Sequence, residues 1–175
     1  VIDIAAYQSQ MNTLKQVPVS VAHILLTSGQ NTINGALAKA KSSESVFTGP
    51  LPGGTARANC AAHLKWHQDE LQKYTDQNAM YPNADDLKKW VMQSYIEANA
   101  VEEGATWIAG AWSQMWAEIG QAIKALPVTI AAKINETASS LLGLPTWGIG
   151  LAVLGFAGII GYLYLRPMRI LGGRS

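Results

Sequence analysis

Apolar residues recur along most of this chain at helical spacing, and no stretch shows the strict alternation of a half-buried strand. In residues 1–16 they occupy positions 1, 2, 4, 5, 6, 7, 11 and 14. That predicts a first helix, ended by Pro18. A second is expected from a Ser20 cap through Val21, Ile24, Leu25, Ile33, Leu37 and Ala40. Gly29 and Asn31 fall inside it and are expected to break it. His23 on this stretch reads as a packed or hydrogen-bonded histidine. TGPLPGGT at 48–55 holds two prolines and three glycines, the clearest loop in the chain. It lacks the GxxxxGK[ST] pattern of a phosphate loop.

Helical spacing resumes at Asn59, a candidate N-cap, with Ala61, Ala62, Leu64, Leu71 and Tyr74 on one line and Trp66 beside it. The YPN turn at 81–83 ends a polar stretch. Asn83 then caps a helix whose first turn holds Asp85 and Asp86, favourable against the helix dipole. Leu87, Trp90, Val91, Ser94, Tyr95 and Ala98 form its inner face; Lys88, Lys89 and Glu97 are expected in solvent. Glu102, Glu103 and Gly104 are a candidate interruption. A further helix over 106–126 carries Ile108, Trp112, Met115, Trp116, Ile119, Ile123 and Leu126 on one stripe, and Pro127 ends it. Residues 128–144 predict one more, with Ile130, Ile134, Ala138, Leu141 and Leu142 on a face.

The last segment differs in kind. The 29 residues between Glu136 and Arg166 carry no charge, and Trp147–Leu165 is a run of 19 apolar, aromatic or glycine residues. As a helix it would be about 28 Å long, close to the thickness of a bilayer's hydrocarbon core. Pro145 fits a first helical turn. Trp147 suits one interface, and Tyr162 and Tyr164 the other. Arg166, Arg169 and Arg174 follow with no acid among them, which places the C-terminus on the cytoplasmic or particle-interior side. That orientation requires export of nearly everything before the span. Gly148/Ala152 and Ala157/Gly161 are small-xxx-small pairs and Gly155 lies between them, a pattern that lets helices approach closely in lipid.

The expected fold is therefore mainly α, a small helical bundle followed by a single C-terminal transmembrane helix. The organisation is an N-terminal helical segment 1–47, a Pro/Gly-rich linker 48–58, a helical region 59–144, the span 145–166 and a basic tail 167–175.

Charge supports this division. Charged residues make up 14% of the 175 positions, against about 25% in a typical globular chain. Residues 1–103 hold eight basic and ten acidic side chains; residues 104–175 hold five and two. An overall charge of +1 gives no electrostatic footprint for specific nucleic-acid binding. One cysteine excludes an internal disulfide framework.

Two groups of residues carry candidate chemistry. Trp107, Trp112 and Trp116 lie within ten residues. Such rings suit a membrane–water interface or a protein seam, and equally a core stripe. Cys60, His63 and His67 fall at C-x2-H-x3-H, on one face of a helix. Thiolate and imidazole are zinc ligands, but a closed site needs a fourth. HLKWH has the paired histidines of a zincin with Leu64 where the catalytic glutamate would stand. The adjacent acids Asp69–Glu70, Asp85–Asp86 and Glu102–Glu103 point to different helix faces and do not act as carboxylate pairs. No catalytic, metal or cofactor site is therefore expected. The expected role is a non-enzymatic, membrane-anchored structural or interaction subunit of a virion membrane or bacterial envelope or DNA-transfer complex. Its partners would be the lipid bilayer and other protein subunits, including copies of itself. A pore-forming protein is the first alternative. A membrane-tethered enzyme using Cys60, His63 and His67 is the second.

Overall fold

The computed structural model of the chain describes residues 2–44 and 54–134. The protein is mainly helical. Five helices run in order: α1 (Ile4–Met11), α2 (Val19–Glu44), α3 (Gly54–Leu71), α4 (Ala84–Val101) and α5 (Thr106–Ala125). Residues 128–134 are helical as well, and no strand occurs among the described residues.

α2 is the central helix, packed against α3, α4 and α5, while α1 packs on α4. It runs unbroken for 26 residues, straight through Gly29 and Asn31. The expected break is absent because Gly29 serves a close approach. A Cβ there would lie 3.2 Å from Val91 Cγ2 and 3.4 Å from both Leu64 methyl carbons. Three helices thus meet where one side chain is missing, which offsets the roughly 1 kcal/mol that glycine costs a helix interior. Leu25, Ile33, Leu64, Leu87 and Tyr95 belong to the core that these helices share, all 1% exposed or less. Each buried aliphatic of this size contributes about 1.5–3 kcal/mol.

The start of α2 is capped differently from expectation. Ser20 lies inside the helix, and its hydroxyl has no partner among the described residues. The backbone N–H groups of Val19 and Ser20 instead donate to the carbonyls of Ala79 (2.8 Å) and Gln77 (3.1 Å). Tyr81 N–H returns a bond to Val17 O at 2.8 Å. The loop before α4 therefore satisfies donors that would otherwise be orphaned at a buried helix end.

Two other boundaries differ. α3 begins at Gly54, so residues 54–58 of the expected linker are helical and Asn59 is interior. The pattern hid this because the first turn, GTARA, carries no apolar stripe. Asn83 does precede α4, but its side chain makes no capping bond. Its amide donates to Glu70 Oε1 at 2.8 Å and ties α4 back to α3.

α4 buries more of its circumference than an amphipathic stripe implies. Lys88 and Glu97, expected in solvent, are 9% and 7% exposed. Lys88 Nζ donates to Leu14 O at 2.6 Å and pairs with Asp85 at 2.7 Å. Glu97 accepts from Gln93 at 2.7 Å. Contacts with α1, α2 and α3 on several sides explain the burial. Gly104, at φ +78°, turns the chain between α4 and α5, in a conformation that L side chains avoid.

No helix among the described residues is long and apolar enough to cross a membrane. The expected span and basic tail lie outside the described residues. So do most of the linker and the C-terminal part of the 128–144 helix.

Candidate functional site

α3 holds Cys60, His63 and His67 on one side, against α4 and the 72–83 connection. The three side chains have separate commitments. Cys60 is fully buried, and its thiol donates to Trp90 O at 3.4 Å. Burial, reinforced by the nearby Glu97 carboxylate, pushes the thiol up to about 12. The thiolate is the nucleophile and the metal ligand, so burial here disfavours the reactive form at neutral pH.

His67 is also fully buried, but in a polar setting. Its Nδ1 lies 2.7 Å from the Tyr81 hydroxyl and its Nε2 3.2 Å from Asp86 Oδ2. Burial holds its pKa below the usual histidine value, against the opposing pull of Asp86 and Glu70. The neutral ring fits one tautomer: Nε2–H donates to Asp86, and Nδ1 accepts the Tyr81 proton. Glu70 Oε2, 3.3 Å from the same hydroxyl, is the alternative acceptor. Burial and the neighbouring Glu70 carboxylate raise the Tyr81 phenol far above its ordinary value. The result is a polar cluster of Asp86, His67, Tyr81, Glu70 and Asn83, in which the one phenol proton serves either His67 or Glu70, and it joins α3, the loop and the start of α4.

His63 points elsewhere. It is exposed, and its ring stacks on Trp90 with centroids 3.6 Å apart and planes 9° from parallel. Together with Ala62, Trp66 and Asp86 it lines an open depression of about 440 Å³. Trp66 is 49% exposed and meets the His67 ring edge-on. Among the described residues, no group of three or more His, Cys, Asp or Glu is arranged to hold a metal ion. The C-x2-H-x3-H spacing thus places a thiol in the core, a histidine in a hydrogen-bond chain and a histidine on an aromatic surface.

The tryptophans of α5 also divide. Trp112 is 4% exposed and belongs to the core. It stacks on Tyr7 at 4.1 Å, meets Tyr95 edge-on at 4.9 Å, and donates its indole N–H to Gln10 at 2.8 Å. Trp116 is half-buried beside it, its N–H without a hydrogen-bond partner among the described residues. Trp107 is 38% exposed and lies over Gly35, where a Cβ would come within 3.3 Å of its ring. Its N–H donates to Glu102, which pairs with Lys39 at 2.9 Å. Trp147, Gly148, Ala152, Gly155, Ala157, Gly161, Tyr162, Tyr164, Arg166 and Arg169 lie outside the described residues.

Sequence reasoning missed Tyr81 and Asp86 as partners of His67, and Glu70 as a partner of Tyr81. The letters YPN signal a turn, and nothing in them says that the tyrosine folds inward. The missed Tyr7–Trp112 stack joins residues 105 positions apart, beyond any local pattern. Comparison of the chain with protein-family models, characterised proteins and solved structures gives no match.

Proposed function

We propose that this chain is a membrane-anchored structural or interaction subunit: a helical bundle tethered by Trp147–Leu165 within a larger membrane-associated assembly. The observation that carries the reading is that uncharged run, with its aromatic ends and the basic residues after it. The bundle supports it. Helices α1 to α5 bury their apolar stripes against one another and leave few large apolar side chains exposed. Val128, beyond the end of α5, is 85% exposed and opens the segment that leads toward the run. A non-enzymatic role fits the commitments of Cys60 and His67, which are spent on internal contacts.

Reconstitution of the full chain into liposomes tests the reading. The protein should float with the vesicles and resist alkaline extraction. Leu154→Arg/Ile159→Arg should abolish this, since each arginine at mid-bilayer costs about 2.5–3.5 kcal/mol on the insertion scale. Equal recovery of both proteins in the aqueous fraction would overturn it.

A further inference from the structure

The depression between α3 and the start of α4 has a lining with opposed demands. Trp66 presents an exposed indole, and His63 an imidazole backed by Trp90. Asp86 contributes a carboxylate whose side chain is 48% exposed. One of its oxygens faces Nε2 of the buried His67, which fixes the carboxylate in place. The cations nearby in sequence have other work. Lys65 pairs with Asp69 at 3.3 Å, Lys88 with Asp85 and Leu14 O, and Lys89 lies 5.1 Å from the Trp90 ring centroid.

An apolar ligand here would strip water from a carboxylate without replacing it. An anion would be repelled. A cation answers both features at once, with the carboxylate for its charge and the exposed indole for π attraction. The geometry points to a binding site for a guanidinium group, presented as an arginine side chain of a partner polypeptide, between Trp66 and Asp86. Guanidinium is preferred to a compact ammonium because it is planar, weakly hydrated and able to stack on an aromatic face while donating to a carboxylate. The depression is open to solvent, and at about 440 Å³ it lies in the size range of small-ligand sites. An exposed tryptophan beside such a pocket is also the residue type that most often anchors protein interfaces. The site is formed by α3 and α4 alone, so it stands whether or not 147–165 crosses a bilayer.

The test uses the full chain in a non-ionic detergent, labelled with 5-fluorotryptophan. The Trp66 fluorine line is identified by its loss in Trp66→Phe. The probes are N-acetyl-arginine amide, its uncharged isostere N-acetyl-citrulline amide, and tetramethylammonium. The arginine probe should shift the Trp66 line saturably, with roughly millimolar affinity for a single anchoring group. Citrulline should bind at least about five-fold more weakly, and Asp86→Asn should lower arginine affinity by a similar factor. Asp86→Asn also touches His67 and can disturb folding. Ala62→Gln is therefore the second variant; it crowds the depression from an exposed helical position. It should weaken arginine binding with the thermal midpoint unchanged. Three results would each overturn the proposal: citrulline binding as well as arginine, no saturable shift up to roughly 100 mM probe, or undiminished binding to Ala62→Gln. Tighter binding of tetramethylammonium would overturn it too, because the site would then suit a lipid headgroup instead of an arginine.

Discussion

Tyr7 and Trp112 lie face to face, ring centroids 4.1 Å apart and planes 3° from parallel. The pair closes the bundle by joining the eight-residue α1 to α5. Tyr95 of α4 meets both rings edge-on, at 6.1 Å and 4.9 Å. The Tyr95 hydroxyl is 2.6 Å from Ser28 Oγ, which extends the cluster to α2.

Trp112→Ala should therefore destabilise the bundle by about 3–5 kcal/mol, the range for a buried large aromatic. Trp112→Phe keeps an aromatic ring, though a smaller one, and loses the bond to Gln10, so it should cost less. A double-mutant cycle with Tyr7→Leu and Trp112→Leu should show a coupling of about 0.5–1.5 kcal/mol. Denaturant unfolding of the four proteins measures it. Additive effects would mean that the rings contribute area alone.

Two glycines make opposite predictions. Gly29→Leu forces a side chain into the crossing with Val91 and Leu64 and should cost about 1–3 kcal/mol or more through overpacking. Gly110, within α5, has open space where a Cβ would sit. Gly110→Ala should stabilise by about 0.5–1 kcal/mol through helix propensity alone. Thermal unfolding of both variants reads the contrast, and equal signs would contradict the packing described.

The helices were legible wherever an apolar stripe was long and ended in a turn residue, as in α5 between Gly104 and Pro127. Packing details were not. Gly29 reads as a helix breaker in isolation, because its use appears only when Leu64 and Val91 arrive from other helices. Lys88 reads as a solvent residue, because nothing local announces that Leu14 O needs a donor. The C-x2-H-x3-H spacing puts three residues on one side of α3, yet spacing along one helix carries no information on whether three side chains converge. His67 turns to a tyrosine in a loop and to an acid on the next helix. Trp112 is core and Trp107 is half at the surface, a distinction set by which turn of α5 faces Tyr7 and which lies over Gly35.

Cys60 should report on opening of the bundle. Its thiol is buried and held at about 12 by burial and by Glu97. Alkylation by iodoacetamide at neutral pH should be far slower in the native protein than in the chain in denaturant. Gly29→Leu should accelerate it, by about tenfold for each 1.4 kcal/mol of stability lost, since reaction passes through the opened state. Rapid labelling of the native wild-type protein would show that the α3–α4 contact opens readily at this point.

The pH dependence of stability should carry the mark of His67. Its folded pKa lies below the ordinary value of 6.5 because burial disfavours the imidazolium, despite Asp86 and Glu70. The unfolded chain therefore binds a proton at a higher pH than the folded one. By linkage, stability rises with pH wherever the unfolded state holds more protons. The contribution is complete above 6.5, declines as pH falls below it, and is lost once pH passes the folded pKa. Chemical denaturation between pH 8 and pH 5 should show that decline in the wild-type protein. His67→Gln keeps a polar side chain against Tyr81 and Asp86 and has no proton to gain, so its profile should be flatter over the same window. Asp86→Asn removes the carboxylate that favours the charged ring, and should move the folded pKa further down and extend the decline to lower pH. A profile identical in wild type and His67→Gln would assign the dependence to other groups and would argue against a neutral His67 in the folded state.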